Sequence, residues 1–413
     1  MRVDSAKGFV MSHRRGGDVR QLTREASGSL PPPQLITTTA QFLQILPRLL
    51  ASPVVAVDTE ANSLFAYYHK VCLIQLSTPQ TDYVIDPLAV ELDSRPLGQL
   101  LAASHVQKVF HAAENDILVL KRDYGFTFAN VFDTLWAARI LGWPEVGLGA
   151  ILTKRFGVPL NKQMQRANWG KRPLTREQLA YARLDTHYLI PLRDMLVTEL
   201  EEKGRLAEAL EAFAGLPDVE YVAKPFDPDG FWRMRGVRDL APKSQAVLQA
   251  LYLWREDKAR ALDRPPFKVL SDHALLTLAQ KLPASLAELT HLSGMNRSLV
   301  QRSGTDILET IRTACSAPPP TAPKRNNHHH TTRPDEETLA RYELLRTWRT
   351  DTAIARGVDP DVVMTNETLM AIARHMPATL ADLETCPGFG PNKRHLYGHE
   401  IIAVLGGDRV VAA

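Results

Sequence analysis

Residues 54–63 read VVAVDTEANS: an apolar, mostly β-branched run that ends in two carboxylates two positions apart. Such runs form buried strands. Side chains alternate across a strand, so Asp58 and Glu60 project from one face at its end. The same apolar character recurs in VCLIQLS (Val71 to Ser77), YVID (Tyr83 to Asp86) and KVFHA (Lys108 to Ala112). Helical patterns lie between and after these runs, around Ala40 to Leu50, Leu97 to Ala103, Ile117 to Tyr124 and Asp133 to Leu141, with a long one from Thr175 to about Glu202. Strands alternating with helices predict an α/β domain with a mixed sheet and flanking helices.

Working outward, the character of the chain changes near residue 230, and from Lys243 onward only amphipathic stretches of helical length are found. Residues 315–336 are rich in Pro and Thr with almost no apolar content, which reads as a linker. The segments on either side of it are alike. Each places Trp-Arg in a first helix, then a Val followed by a Ser or Asn helix cap, then P-A-[ST]-L-A-[ED]-L, then a Gly turn. That is an internal repeat of one helical module. The expected organisation is a disordered tail at 1–34, the α/β domain at 35–215, a connector at 216–239, a first all-α domain at 240–314, a linker at 315–334 and a second all-α domain at 335–413.

Among the 413 residues no apolar run approaches the roughly 20 needed to cross a bilayer. The basic N-terminus has no apolar segment behind it, so no secretory signal is read and cytoplasmic residence is expected. Cys72, Cys315 and Cys386 are too few and too widely spaced for a disulfide framework or a zinc site, and Cys72 is expected in the core. The net charge of +3 conceals an uneven distribution. Residues 233–314 hold 13 Lys and Arg against 8 Asp and Glu, whereas residues 335–413 hold 8 against 12. A polyanion should therefore meet the first helical module, and the second is expected to pack or position.

The chemistry rests on carboxylates. Besides Asp58 and Glu60, Asp116 lies in FHAAENDILVL where a strand gives way to a helix, and Asp185 lies in YARLDTHYL, one helical turn after Tyr181. Hard divalent ions take oxygen ligands, and a pair of them needs several carboxylates converging on one point. The ordered set of D-x-E after an apolar strand, an Asp at a strand-to-helix junction and Y-x-x-x-D in a late helix resembles the DEDD exonucleases with a catalytic Tyr, ribonuclease D above all. KVCLIQLS, KVFHAAENDILVLKRDYG, VFDTLWAARILG, GLGAIL and NWGKRPLTREQLAYARLDTHYL carry the resemblance over about residues 45 to 200. The two helical modules resemble HRDC domains (helicase and RNase D C-terminal). The resemblance implies an RNase H-like fold and 3′→5′ removal of nucleotides from RNA with a free 3′ end, tRNA precursors being the expected substrate. It also implies that Asp58, Glu60, Asp116 and Asp185 hold two divalent ions, Mg²⁺ or Mn²⁺, and that Tyr181 orients the attacking water.

From Gly147 to Thr175 there is no acidic residue, while Lys154, Arg155, Lys162, Arg166, Lys171 and Arg172 surround Trp169. This reads as a phosphate track with a stacking platform; the alternative is a solvated basic loop with Trp169 in the core. Ala167 and Asn168 stand where relatives often carry Ser-Asp. His111 is either near RNA or a packed histidine, and Asp133 is expected to cap a helix rather than to act as a fifth ligand. The turns at Gly294 (GMN) and Gly388 (GFGPNKRHLYG) resemble helix–hairpin–helix turns, which offer backbone N–H groups to phosphate. His328, His329 and His330 follow linker polarity, HEIIA at His399 lacks a second His, and GLG at Gly147 is too short for a nucleotide fingerprint. The competing readings are a 3′→5′ DNA exonuclease, for which no helicase Walker motif or polymerase segment is found, and a non-catalytic RNA-binding protein.

Overall fold

Six strands form one twisted sheet: β1 (Gln34–Ile36), β2 (Val54–Ala61), β3 (Val71–Ser77), β4 (Asp82–Ile85), β5 (Gln107–Phe110) and β6 (Val131–Asp133), in the order β1-β4-β3-β2-β5-β6. The structure, a computed structural model, describes residues 30–89, 94–323 and 334–406. The β2–β3 and β3–β4 pairs are antiparallel; β1–β4, β2–β5 and β5–β6 are parallel. β2 is thus flanked on both sides, as its apolar run requires. Its register with β3 shifts between Glu60 and Ala61, a bulge that re-aims the strand end where the carboxylates sit.

Helices α1 (Thr39–Ala51), α2 (Ser94–Ala102), α3 (Ala113–Tyr124), α4 (Thr134–Leu141), the short α5 (Leu148–Ile151), α6 (Arg176–His187), α7 (Leu189–Glu202) and α8 (Leu206–Ala214) cover the sheet. Apart from α6, whose Tyr181 and Ala182 pack with Cys72, Leu73, Val84 and Trp169, their apolar faces share one core with Val55, Val57, Ile74, Ile85 and Val109. Cys72 is buried as expected, and burial pushes its thiol up to about 11. Two expectations change, and one strand was not foreseen. The tail expected through residue 34 ends earlier, because Gln34 already pairs with Tyr83; residues 1–29 lie outside the described residues. The long helix expected from Thr175 to Glu202 is two helices. Pro191 has no N–H for the carbonyl one turn back, and the chain breaks at Tyr188. The strand at Val131–Asp133 is only three residues long and gives no periodic signal of its own.

Beyond a connector of short 3₁₀ turns, the remaining described residues form helices only: α9 (Pro242–Ala261), α10 (Pro266–Val269), α11 (Asp272–Lys281), α12 (Leu286–Thr290) and α13 (Arg297–Ala314), then α14 (Glu336–Arg356), α15 (Pro360–Val363), α16 (Asn366–His375), α17 (Leu380–Glu384) and α18 (Pro391–Gly406). The linker residues 324–333, with His328, His329 and His330, lie outside the described residues. The repeat is physical as well as textual. Arg255 donates to the Leu270 carbonyl at 3.0 Å and to Asp272 at 2.6 Å; Arg349 donates to the Met364 carbonyl and to Asn366, both at 2.8 Å. The third helix of each module is capped by Ser271 and Thr365, so the cap in the second module is Thr365 and not Asn366. Among the described residues no helix is long and apolar enough to cross a membrane.

Both modules are fastened to the α/β domain. In the second, Arg356 makes a two-pronged ion pair with Glu208 of α8, at 2.6 and 2.9 Å, and Arg139 of α4 meets Asp361 at 2.5 Å. Val362 enters the main core. The Glu208 side chain is 8% exposed and that of Arg356 18%, so removing one partner strands a desolvated charge. Arg356→Ala should therefore cost about 3 kcal/mol in denaturant unfolding. In a double-mutant cycle with Glu208→Ala, the doubly substituted chain should recover part of that loss; strict additivity would show that the pair does not couple.

Candidate active site

Three elements deliver the acidic residues. β2 ends in Asp58 and Glu60, the first turn of α3 carries Asp116, and α6 packs across β2, β3 and β4 with Tyr181 and Asp185 facing inward. A carboxylate oxygen from each of Asp58, Glu60 and Asp185 lies within 4.8 Å of the other two. Asp116 is turned toward β2, where its Oδ1 accepts the Thr59 hydroxyl at 2.5 Å. Oxygen donors alone, gathered this closely, suit hard divalent cations rather than zinc or copper.

The electrostatics say the same. Burial raises the pKa of Asp58, and the charges of Asp116, Asp185 and Glu60 raise it further. Burial, then Asp185 and Asp116, push Glu60 up to about 9; burial pushes Asp116 up to about 7, and burial with the Asp116 charge raises Asp185 well above the carboxylate range. Four carboxylates in one desolvated nest cannot all ionise without positive charge among them. Burial, followed by the charges of Asp185, Glu60 and Asp58, also raises the pKa of Tyr181, which keeps it a neutral phenol.

Asp133 is the organiser of the Asp116 turn. Its carboxylate accepts from Leu135 and Trp136 as the cap of α4, and also from Ala112 at 3.1 Å and Ala113 at 2.8 Å. Those two N–H groups open α3, and Ala112 is held at a φ of 62°, which a side-chain-bearing residue rarely adopts. His111 bonds Thr134 at 2.9 Å, and burial pushes it down to about 4, so it is neutral and offers RNA no charge.

The expected phosphate track divides. Lys162, Arg166 and Lys171 are exposed and free to meet a polyanion from the strand-poor segment before α6. Trp169 is 1% exposed, packed on Tyr181 with ring centroids 6.0 Å apart, so it supports the site from behind and is not a stacking platform. Arg172 is also committed. It grips Asp86 with two bonds of 2.6 Å and donates to the carbonyls of Trp169 and Cys72. Two features escaped the sequence reading. Thr59 holds Asp116, for which no local pattern exists. The loop between β2 and β3 meets the first helical module: Tyr67 bonds Glu256, the Tyr68 N–H bonds Asp263 at 2.9 Å, and Lys268 lies 3.6 Å from the Phe65 ring centre.

The turn at Gly388 departs from expectation in an informative way. The N–H groups of Asn392 and Lys393, at the start of α18, are taken by Glu211 of α8 at 2.6 and 3.3 Å. A carboxylate occupies the place expected for phosphate, in line with the acidic balance of this module. In the first module the corresponding helix start is capped by its own Asn296 at 2.8 Å.

Because the crowded carboxyls hold protons to higher pH in the folded chain than in the unfolded one, their contribution to stability is fully present below about pH 4 and is lost as pH rises through the raised values. With chelator present, Tm should fall between pH 5 and 9, through the values near 7 for Asp116 and 9 for Glu60. Mg²⁺ should restore most of the loss at the alkaline end, and Glu60→Gln should flatten the curve. A Tm that ignores both pH and Mg²⁺ in this range would contradict the crowding.

Comparison with known proteins agrees with this site. A family profile described as 3′-5′ exonuclease matches residues 33–201, and the HRDC domain profile matches residues 244–311 and 338–405. The ribonuclease D of Gluconacetobacter diazotrophicus is 31% identical over 388 residues, spanning 94% of this chain and 96% of that protein. The catalytic core of RRP6 from Trypanosoma brucei shares 27% identity with a TM-score of 0.64, over 70% of this chain and 82% of that one. Escherichia coli RNase D, described as an exoribonuclease involved in structured RNA processing, has the same fold at 24% identity, with a TM-score of 0.59 over 91% and 99% of the two chains. An oxygen-only nest at the end of β2, an α/β exonuclease domain and a duplicated HRDC module, matched over nearly its full length, make this chain a member of the ribonuclease D family of 3′→5′ exoribonucleases.

Proposed function

We propose that Asp58, Glu60, Asp116 and Asp185 hold two divalent cations, Mg²⁺ or Mn²⁺, and that with Tyr181 they hydrolyse the terminal phosphodiester of RNA, tRNA precursors being the substrate the family implies. The observation that carries the reading is the convergence of carboxylates from β2 and α6 within 4.8 Å, with Asp116 alongside. When bound, such cations supply an activated water and offset the negative charge on the phosphate and the leaving 3′ oxygen. The chain's own residues do the rest. Asp58 and Glu60 fix one side of the nest from a rigid, bulged strand end, and Thr59 fixes the rotamer of Asp116. Tyr181, kept neutral, cannot take a proton from water at neutral pH; its hydroxyl guides the nucleophile by hydrogen bonding.

The RNA path follows from what is exposed. Lys162, Arg166 and Lys171 line the approach on the α/β domain. Across the β2–β3 loop, Tyr68 is 61% and Phe267 54% exposed, on segments pinned to each other by the Tyr68–Asp263 bond and the Lys268–Phe65 contact. Exposed rings on a rigid seam among Lys70, Arg260, Arg264 and Lys268 suit stacked bases and their phosphates.

Asp58→Asn, Glu60→Gln, Asp116→Asn and Asp185→Asn should each lower turnover by at least about 10³-fold, and Tyr181→Phe by roughly 10²- to 10⁴-fold with RNA binding retained. Matched 3′-labelled RNA and DNA strands offered with Mg²⁺ or Mn²⁺ test both the substrate and the residues. Preference for DNA would overturn the substrate, and normal turnover in a carboxylate variant would remove that residue from the site.

A further inference from the structure

We infer that Gln75 is a positioning residue for the catalytic carboxylates, an amide held ready beneath them. Gln75 is fully buried in the middle of β3, and neither its Nε2 nor its Oε1 has a hydrogen-bond partner. Buried side-chain amides without any partner are rare in native proteins and destabilise the fold, so one that persists calls for a reason.

Its position supplies one. In the strand register Gln75 stands directly opposite Asp58 on β2 and opposite Val84 on β4. Opposed residues of antiparallel strands point to the same face, with Cβ atoms about 5 Å apart. That face is roofed by α6. Two residues along in one direction, Leu73 packs with Val84 against Tyr181 and Ala182; two along in the other, Ser77 bonds Thr186 at 2.7 Å. The buried Gln75 side chain therefore lies on the same face as Asp58, beneath α6, the helix that carries Asp185.

A neutral amide has a property here that Lys, Arg or Leu lacks. It can donate a hydrogen bond to an ionised carboxylate without bringing a charge that would compete with cations for the nest. The inference rests on the proposed cation-binding role of the nest.

The test is Gln75→Met in the full-length chain, a substitution close in shape that removes both polar atoms. Three measurements are made on it and on the wild type: Tm in chelator, Mg²⁺ affinity from the rise of Tm over an Mg²⁺ series, and kcat and KM on a 3′-labelled single-stranded RNA. Gln75→Met should keep or raise Tm in chelator, weaken Mg²⁺ by roughly tenfold and lower kcat by a similar factor, with KM for RNA unchanged. Unchanged Mg²⁺ affinity and kcat would show the amide to be a passive core residue. A lower Tm in chelator would show a structural role. Either result overturns the inference, whereas a wild type that neither responds to Mg²⁺ nor cleaves RNA would overturn the nuclease reading beneath it.

Discussion

Acidic groups forced together in a crowded, partly buried site are the constraint around which this molecule is built. Asp58, Glu60, Asp116 and Asp185 repel one another and are penalised again for leaving water, as their raised pKa values record. Only a rigid scaffold can hold them so. The central position of β2, the bulge beside Glu60, the tie of Asp133 to the start of α3 and the capping box that fixes the entry of α6 all resist relaxation of the nest. Packing energy from a large apolar core thereby holds carboxyl groups closer together than their charges alone would allow.

What could be read from the sequence was what is local. The D-x-E pair, the strand-to-helix junction at Asp116 and the Tyr181–Asp185 spacing are each set within a few residues, and the fold's main elements announce themselves by periodicity. The failures have a common cause in distance along the chain. Whether Trp169 faces solvent depends on α6 closing over it, and whether Arg172 is free depends on Asp86, 86 residues earlier. Thr59 gives no signal at all, since its importance exists only once α3 has brought Asp116 beside it. The three-residue strands at the sheet's edges are too short for any pattern to show.

The two HRDC modules share a frame and differ in how they are used. Arg255 and Arg349 perform the same internal bond in each, so the fold of the module is fixed by the repeat itself. Their surfaces are not. The first keeps a basic excess and meets the loop that leaves the carboxylate strand; the second is acidic overall and is bolted to α4 and α8 by Arg139, Glu208 and Arg356. Copies of one domain can be specialised by charge and docking alone, with no change of architecture.

Glu211 shows how far that specialisation has gone. It caps the start of α18 from another domain, and a Cβ at Gly390 would lie 2.5 Å from the Glu211 carboxyl carbon, so a side chain there would have to displace the carboxylate from its cap. The acid and the glycine are thus a lock and its keyhole, 179 positions apart in the sequence. Losing the acid would uncap α18, and a side chain at the glycine would crowd the acid that caps it, so either change alone loosens the joint between the domains.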